Sequence, residues 1–220
     1  MTAFKKIWLG TAAAAITIPL MALPASAAPC STNTVAFYEG LGSTGCSVDG
    51  VTFSQISVNT TTTGGGTVSL GNITPFQAII NGALENILEL NYTASAGAGQ
   101  TVDIAWSYVV TGNLLNDAYL ALAATDTNGG TSTVTETLSN NVTLTLLASG
   151  STTATFTPIG SLLVLKDQIN KGNGSGSADA SILANGFSVV PLPGALPLFV
   201  GGLGGLWALT RRRKERSTTA

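Results

Sequence analysis

Histidine is absent from all 220 residues, and cysteine occurs only twice. Without an imidazole the chain lacks the commonest general base and the commonest transition-metal ligand. A Ser-His-Asp triad is excluded, and no Gly-x-Ser-x-Gly elbow is present. Charge is also scarce, at 9% of residues, and the bases lie mostly at the two ends. Between Lys6 and Arg211 the only bases are Lys166 and Lys171, set against ten acids, so this stretch carries a net charge of about −8, against −2 for the whole chain. Nucleic-acid binding needs clustered Lys and Arg, so it is excluded for this region. The same charge repels anionic lipid headgroups. The acids are scattered and form no calcium loop; Asp126-Thr127-Asn128-Gly129 is the nearest fragment and reads as a turn. A two-carboxylate glycosidase is not specified either, because ten acids always offer pairs; Glu85 and Glu89 would share a face only on a helix. The composition therefore points away from an enzyme, with no catalytic residue, metal ligand or cofactor identified.

The two ends are informative. Lys5 and Lys6 precede an apolar stretch over residues 7–23, and Ala25-Ser26-Ala27 supplies the small-x-small site of signal peptidase. Residues 1–27 are thus expected to be a signal peptide, with cleavage after Ala27. At the other end come Val190, Pro191, Leu192, Pro193 and Gly194, then an apolar run over residues 195–209. The basic cluster Arg211, Arg212, Arg213, Lys214 and Arg216 follows. The uncharged stretch 189–210 approaches the length of a membrane span, and the basic residues would hold its end in the cytoplasm. The intervening domain would then face the periplasm or the exterior.

This arrangement of signal peptide, exported domain, V-P-L-P motif, Gly/Leu-rich span and terminal Arg cluster resembles the bacterial PEP-CTERM family of sorted proteins, in its VPLPA-type variant. Gly194 departs from the Ala usual there. The resemblance implies processing near the motif by an exosortase, a membrane cysteine protease. It further implies passage through the inner membrane to the cell surface or extracellular matrix of a Gram-negative bacterium that makes exopolysaccharide. The expected organisation is signal peptide 1–27, exported domain 28–189, sorting signal 190–216 with a transmembrane helix, and tail 217–220. A structural or adhesive role in a biofilm or exopolysaccharide matrix follows from the resemblance. The alternatives are a carbohydrate-binding module on the cell surface and a simple single-span envelope anchor.

In an oxidising compartment Cys30 and Cys46 are expected to form a disulfide, closing a loop of about 15 residues and contributing about 3 kcal/mol. The rest of the domain is rich in Thr, Ser, Gly and Asn, with β-branched residues in short alternating runs. Val102, Ile104, Trp106 and Tyr108 alternate onto one face, read as core. Val51 and Phe53 are placed on one face and Ile56 and Val58 on the other, after a one-residue shift that hints at a bulge. Gly64-Gly65-Gly66, Gly97-Ala98-Gly99, Asn128-Gly129-Gly130, Ser149-Gly150-Ser151 and Gly172-Asn173-Gly174 mark turns. Residues 171–178 read as a hairpin loop. The overall expectation is an all-β, antiparallel β-sandwich. Residues 75–90 are ambiguous: Phe76, Ile79, Ile80, Ala83, Leu84, Ile87 and Leu88 fall at helical spacing, while Gly82 opposes a helix.

The reading of the ends predicts the intact mass of protein released from the native cell surface. It should begin at Ala28 and stop near Pro193 or Gly194. A mass that retains residues 211–216 would mean a permanent anchor.

Overall fold

The computed structural model describes residues 27–190. In chain order these form β1 (Ala28–Pro29), β2 (Asn33–Thr34), a short helix α1 (Val35–Gly40), β3 (Cys46–Val48), β4 (Val51–Thr63) and β5 (Thr67–Ile80). Then come β6 (Ala83–Ala96), β7 (Thr101–Thr127), β8 (Thr131–Leu138), β9 (Thr143–Leu146), β10 (Gly150–Lys171) and β11 (Ser177–Phe187). The expectation of an all-β fold is met in this form: one mixed sheet that curls on itself. Pairing is antiparallel except between β1 and β3 and at the isolated Ala98–Gly172 bridge.

Two long strands make the curl. The first part of β7 pairs with β4 on one side and with residues 161–171 of β10 on the other. Its last part pairs with β11 and with residues 150–155 of β10. The sheet therefore has two halves, β1-β3-β4-β7-β10-β8-β9 and β2-β5-β6-β11-β7-β10, joined through β7 and β10. Register breaks between Thr155 and Ser161 of β10, opposite the stretch 111–117 of β7, mark where both strands turn from one half to the other. Strands that switch sheets at such irregularities are how β layers turn corners.

The halves meet over an apolar core. Trp106, Tyr108, Phe53 and Phe187 are fully buried within it. Phe53 of β4 packs on Tyr108 at 5.9 Å and on Phe187 of β11 at 6.4 Å, ring centroid to centroid, so the second contact bridges the halves. The alternation of Val102, Ile104, Trp106 and Tyr108 places all four inside, as read from the sequence.

One ambiguity is resolved and two local expectations are corrected. Residues 75–90 are two strands joined by a tight turn, not a helix. Asn81 and Gly82 both have positive φ, 50° and 87°, the geometry for which Asn-Gly is favoured in two-residue hairpins. The apolar residues at helical spacing are split by that turn, leaving Ile79 and Leu84 exposed while Ile87 and Leu88 are buried. In β4 the bulge does exist, between Ser54 and Ser57 with Gln55 at φ 53°, but it returns Ile56 and Val58 to the side of Val51 and Phe53. All four are buried, because the extra residue resets the alternation. Finally, residues 171–178 do not close a hairpin, since β10 and β11 do not pair; the loop carries the chain from one half to the other.

The disulfide between Cys30 and Cys46 is present and ties the first described residues to β3 beside β1. Helix α1 is capped by the Thr34 hydroxyl, which accepts from the Phe37 N–H at 3.3 Å, and Glu39 on it accepts from the Val58 N–H at 3.0 Å. Among the described residues no helix is long and apolar enough to cross a membrane; the span expected at 195–209 lies outside them.

Gly172 has no room for a side chain: a Cβ there would lie 1.9 Å from the Gly97 carbonyl oxygen. Gly172→Ala should therefore destabilise the domain by about 2–4 kcal/mol, since backbone must move. Gly40, with open space around it, should tolerate Ala with little change. Denaturant unfolding of the two variants checks the contrast.

Candidate functional site

Polar residues cluster in two enclosed places and one open one. The first enclosed cluster arises because the last part of β10, residues 162–171, alternates, so that Lys166, Gln168 and Asn170 all point inward. Register sets Lys166 between Trp106 of β7 and Glu136 of β8. The Lys166 ammonium lies 2.7 Å from Glu136 Oε2, with both side chains at 0% exposure. It also sits 5.0 Å from the centre of the Trp106 ring and 5.7 Å from that of Tyr108. The other carboxylate oxygen, Glu136 Oε1, accepts from Asn185 Nδ2 at 3.3 Å. The same Nδ2 donates to the Tyr119 backbone carbonyl, and the Tyr108 hydroxyl donates to Asn185 Oδ1. Deeper along the column Gln168 Nε2 donates to Asn170 Oδ1, leaving Gln168 Oε1 and Asn170 Nδ2 without partners.

The electrostatics follow from burial. Desolvation pulls the Lys166 ammonium down to about 8, and the attraction of Glu136 offsets only part of this. Burial, with Glu136 adding to it, pushes the Tyr108 phenol well above its ordinary value, so it stays a neutral donor. A buried ion pair of this kind costs several kcal/mol of desolvation per ion and is weak evidence for stability by itself.

The second enclosed cluster lies where the chain leaves the domain. Asp117 Oδ1 accepts from the Ser188 N–H at 2.8 Å and from its hydroxyl at 2.6 Å. The Ser188 hydroxyl also lies 3.0 Å from Asn116 Oδ1, and Val190 donates its N–H to the Leu114 carbonyl at 3.0 Å. Leu114 has φ 63°, an outlier for a bulky side chain. Glu85 is buried beside Asp117, and its carboxyl is pushed up to about 8, first by desolvation and then by the Asp117 charge and hydrogen bond.

The open feature is a groove of about 450 Å³ on the outer surface of the second half. It is lined by Thr67, Thr93, Ser95, Thr125, Ser149, Asp179 and Ser181 around Ala94, Ala123, Ala124 and Ala180. A register break lies beside it: between Ala180 and Ile182 of β11, Ser181 is an extra residue against β7, while against β6 the extra residue lies on β6, where Tyr92 and Thr93 stand opposite Ser181. In the sequence the apolar–polar alternation that runs from Ala178 to Ile182 stops at the adjacent pair Ile182-Leu183, the local trace of this break.

Of the residues read from the sequence, Cys30 and Cys46 are joined as expected. Val190 is the last described residue, clamped at the β7 bend. Ala27 is the first described residue, and its carbonyl accepts from the Ser47 hydroxyl at 3.3 Å. Ala25, Pro191, Leu192, Pro193, Gly194 and the cluster Arg211, Arg212, Arg213, Lys214 and Arg216 lie outside the described residues. Asp126 clamps its own turn, accepting from the Ser132 N–H and hydroxyl at 2.9 and 2.6 Å. Trp106 and Tyr108, read as core, are fully enclosed, and Tyr92 is buried as well.

No family model matches the chain, and no curated protein matches it. Solved structures give faint likenesses. The enzymatically active domain of bacteriophage CBA120 tailspike protein 4 is 11% identical at TM-score 0.31, over 59% of this chain and 19% of that one. A family two carbohydrate esterase from Cellvibrio japonicus is 13% identical at TM-score 0.24, over 63% of this chain and 37% of that one. The CBM36-1 domain of a multidomain xylanase from the hindgut metagenome of Trinervitermes trinervoides is 12% identical at TM-score 0.26, over 61% of this chain and all of that one. Likeness at these TM-scores bears on neither the fold nor the function of this chain.

Glu85 generates a pH dependence with a definite sign. Its carboxyl titrates higher in the folded chain than in the unfolded one, so its contribution is full below about 4.5 and is lost as pH rises through about 8. The unfolding midpoint should fall between pH 5 and pH 8. Glu85→Gln, which cannot ionise, should flatten that fall and be the more stable form at pH 8, as read by thermal melts across the range.

Proposed function

We propose that this chain is an exported, non-catalytic β-domain, sorted by an exosortase-type protease to the cell surface or extracellular matrix, with a structural or adhesive role beside exopolysaccharide. The Cys30–Cys46 disulfide supports export, because such bonds persist in oxidising compartments. The observation that carries the structural role is where the chemistry-bearing side chains go. Lys166, Glu136, Asn185, Trp106 and Tyr108 are spent inside the core, where no substrate reaches them. The motif 190–194 begins at Val190, the last residue of the clamped segment Ser188–Val190, so processing there would release the whole sheet domain.

One observation favours a second reading, a carbohydrate-binding module. The groove around Ser181 presents hydroxyls and one carboxylate, Asp179, over an alanine floor. Sugar hydroxyls pair with such groups, although no aromatic ring lines the groove.

The two readings separate in one experiment with exopolysaccharide purified from the native host. Under the structural reading, deleting the gene weakens matrix cohesion, and the isolated protein shows no saturable binding to the polysaccharide. Saturable binding that weakens about tenfold or more in Asp179→Ala, a loss of about 1.4 kcal/mol, would replace it with the module.

A further inference from the structure

The buried cluster holds the components of a covalent cross-link. We propose that Lys166 and Asn185 join through an intramolecular amide bond, formed once the domain folds and promoted by Glu136. The geometry that carries this is the sharing of one carboxylate. Glu136 holds Lys166 Nζ on Oε2 at 2.7 Å and Asn185 Nδ2 on Oε1 at 3.3 Å, so the incoming and outgoing nitrogens both sit on the group that must move protons between them. The Tyr108 hydroxyl donates to Asn185 Oδ1, the atom on which negative charge develops during attack. Lys166, Glu136, Asn185 and Tyr108 are all buried, so bulk water neither solvates the amine nor competes for the amide carbon.

The step balances without a co-reactant. The Lys166 ammonium gives a proton to the Glu136 carboxylate, which leaves an amine with a free lone pair. Burial has already brought this ammonium down to about 8, which lowers the cost of that transfer. Nζ attacks Cγ of Asn185, and the electron pair of the carbonyl moves onto Oδ1 under the Tyr108 hydroxyl. Glu136 takes a second proton from Nζ as it delivers the first to Nδ2. The Cγ–Nδ2 bond breaks, the carbonyl reforms, and nitrogen leaves as ammonia, or as ammonium with Glu136 again a carboxylate. One C–N bond forms, one breaks, and nothing is oxidised or reduced. The product exchanges a costly buried ion pair for a neutral amide. It also ties β10 in one half of the sheet to β11 in the other, across the core and independently of the disulfide.

The inference does not depend on what the outer face binds, and mass spectrometry of the full exported chain tests it. The expected result is a mass lower by one ammonia and a peptide pair joined between Lys166 and Asn185, with no tryptic cleavage after Lys166. Glu136→Gln, which keeps the side-chain shape but cannot shuttle the proton, should retain the ammonia and be cut after Lys166. Ammonia loss alone is not support, because Asn185-Gly186 can lose it by closing a backbone succinimide. Loss of ammonia with a free Lys166 amine, or an unmodified mass in protein that carries the Cys30–Cys46 bond, would overturn the proposal. A linked peptide persisting undiminished in Glu136→Gln would overturn the role of Glu136.

Discussion

A lysine enclosed at the centre of a sheet protein constrains nearly everything around it. Lys166 cannot reach water, so an acid had to stand opposite it on β8, and Glu136 does. The remaining oxygen of that acid needed a donor, which comes from Asn185 on β11. The oxygen of Asn185 in turn takes a proton from Tyr108 on β7. Four strands are thereby held at one register, because a slip by one residue would turn Lys166 outward and leave Glu136 buried without its cation. The aromatic faces of Trp106 and Tyr108 complete the enclosure.

The same economy explains the long strands. Neither half of the sheet closes a core alone: Phe53 lies in one half and Phe187 in the other, and they pack on each other. Because β7 and β10 run through both halves, the halves cannot separate without breaking hydrogen bonds along the two longest strands. Bulges at Gln55 and Ser181 adjust the curvature, and the second of these lies in the groove beside Asp179. At the exit, Asp117 holds Ser188 with two hydrogen bonds, so the chain leaves the domain in a defined place.

Much of the fold could be read locally. The run Val102 to Tyr108 declared its inner face by alternation, and all five glycine-rich turns fall between strands or at a strand start. The stretch 75–90 is ambiguous in sequence, because its apolar residues fit a helix while the Asn81-Gly82 pair is a strong hairpin marker, and only the strand pairing decides between them. The bulge in β4 was visible as a shifted pattern, but not its effect, since the pattern alone does not say whether the extra residue flips the later side chains or restores them.

The sequence by itself determined the absence of histidine, the acidic balance between the two basic ends, the strand-and-turn rhythm and the cysteine pair. Each of these is written in neighbouring residues or in simple counts. Tertiary structure alone decided that Lys166, Glu136, Asn185 and Tyr108 meet. The bonds Asn185 makes reach back 49 residues to Glu136 and 77 to Tyr108. No local pattern encodes such distances, because they arise only when the sheet curls and its two inner faces close on each other.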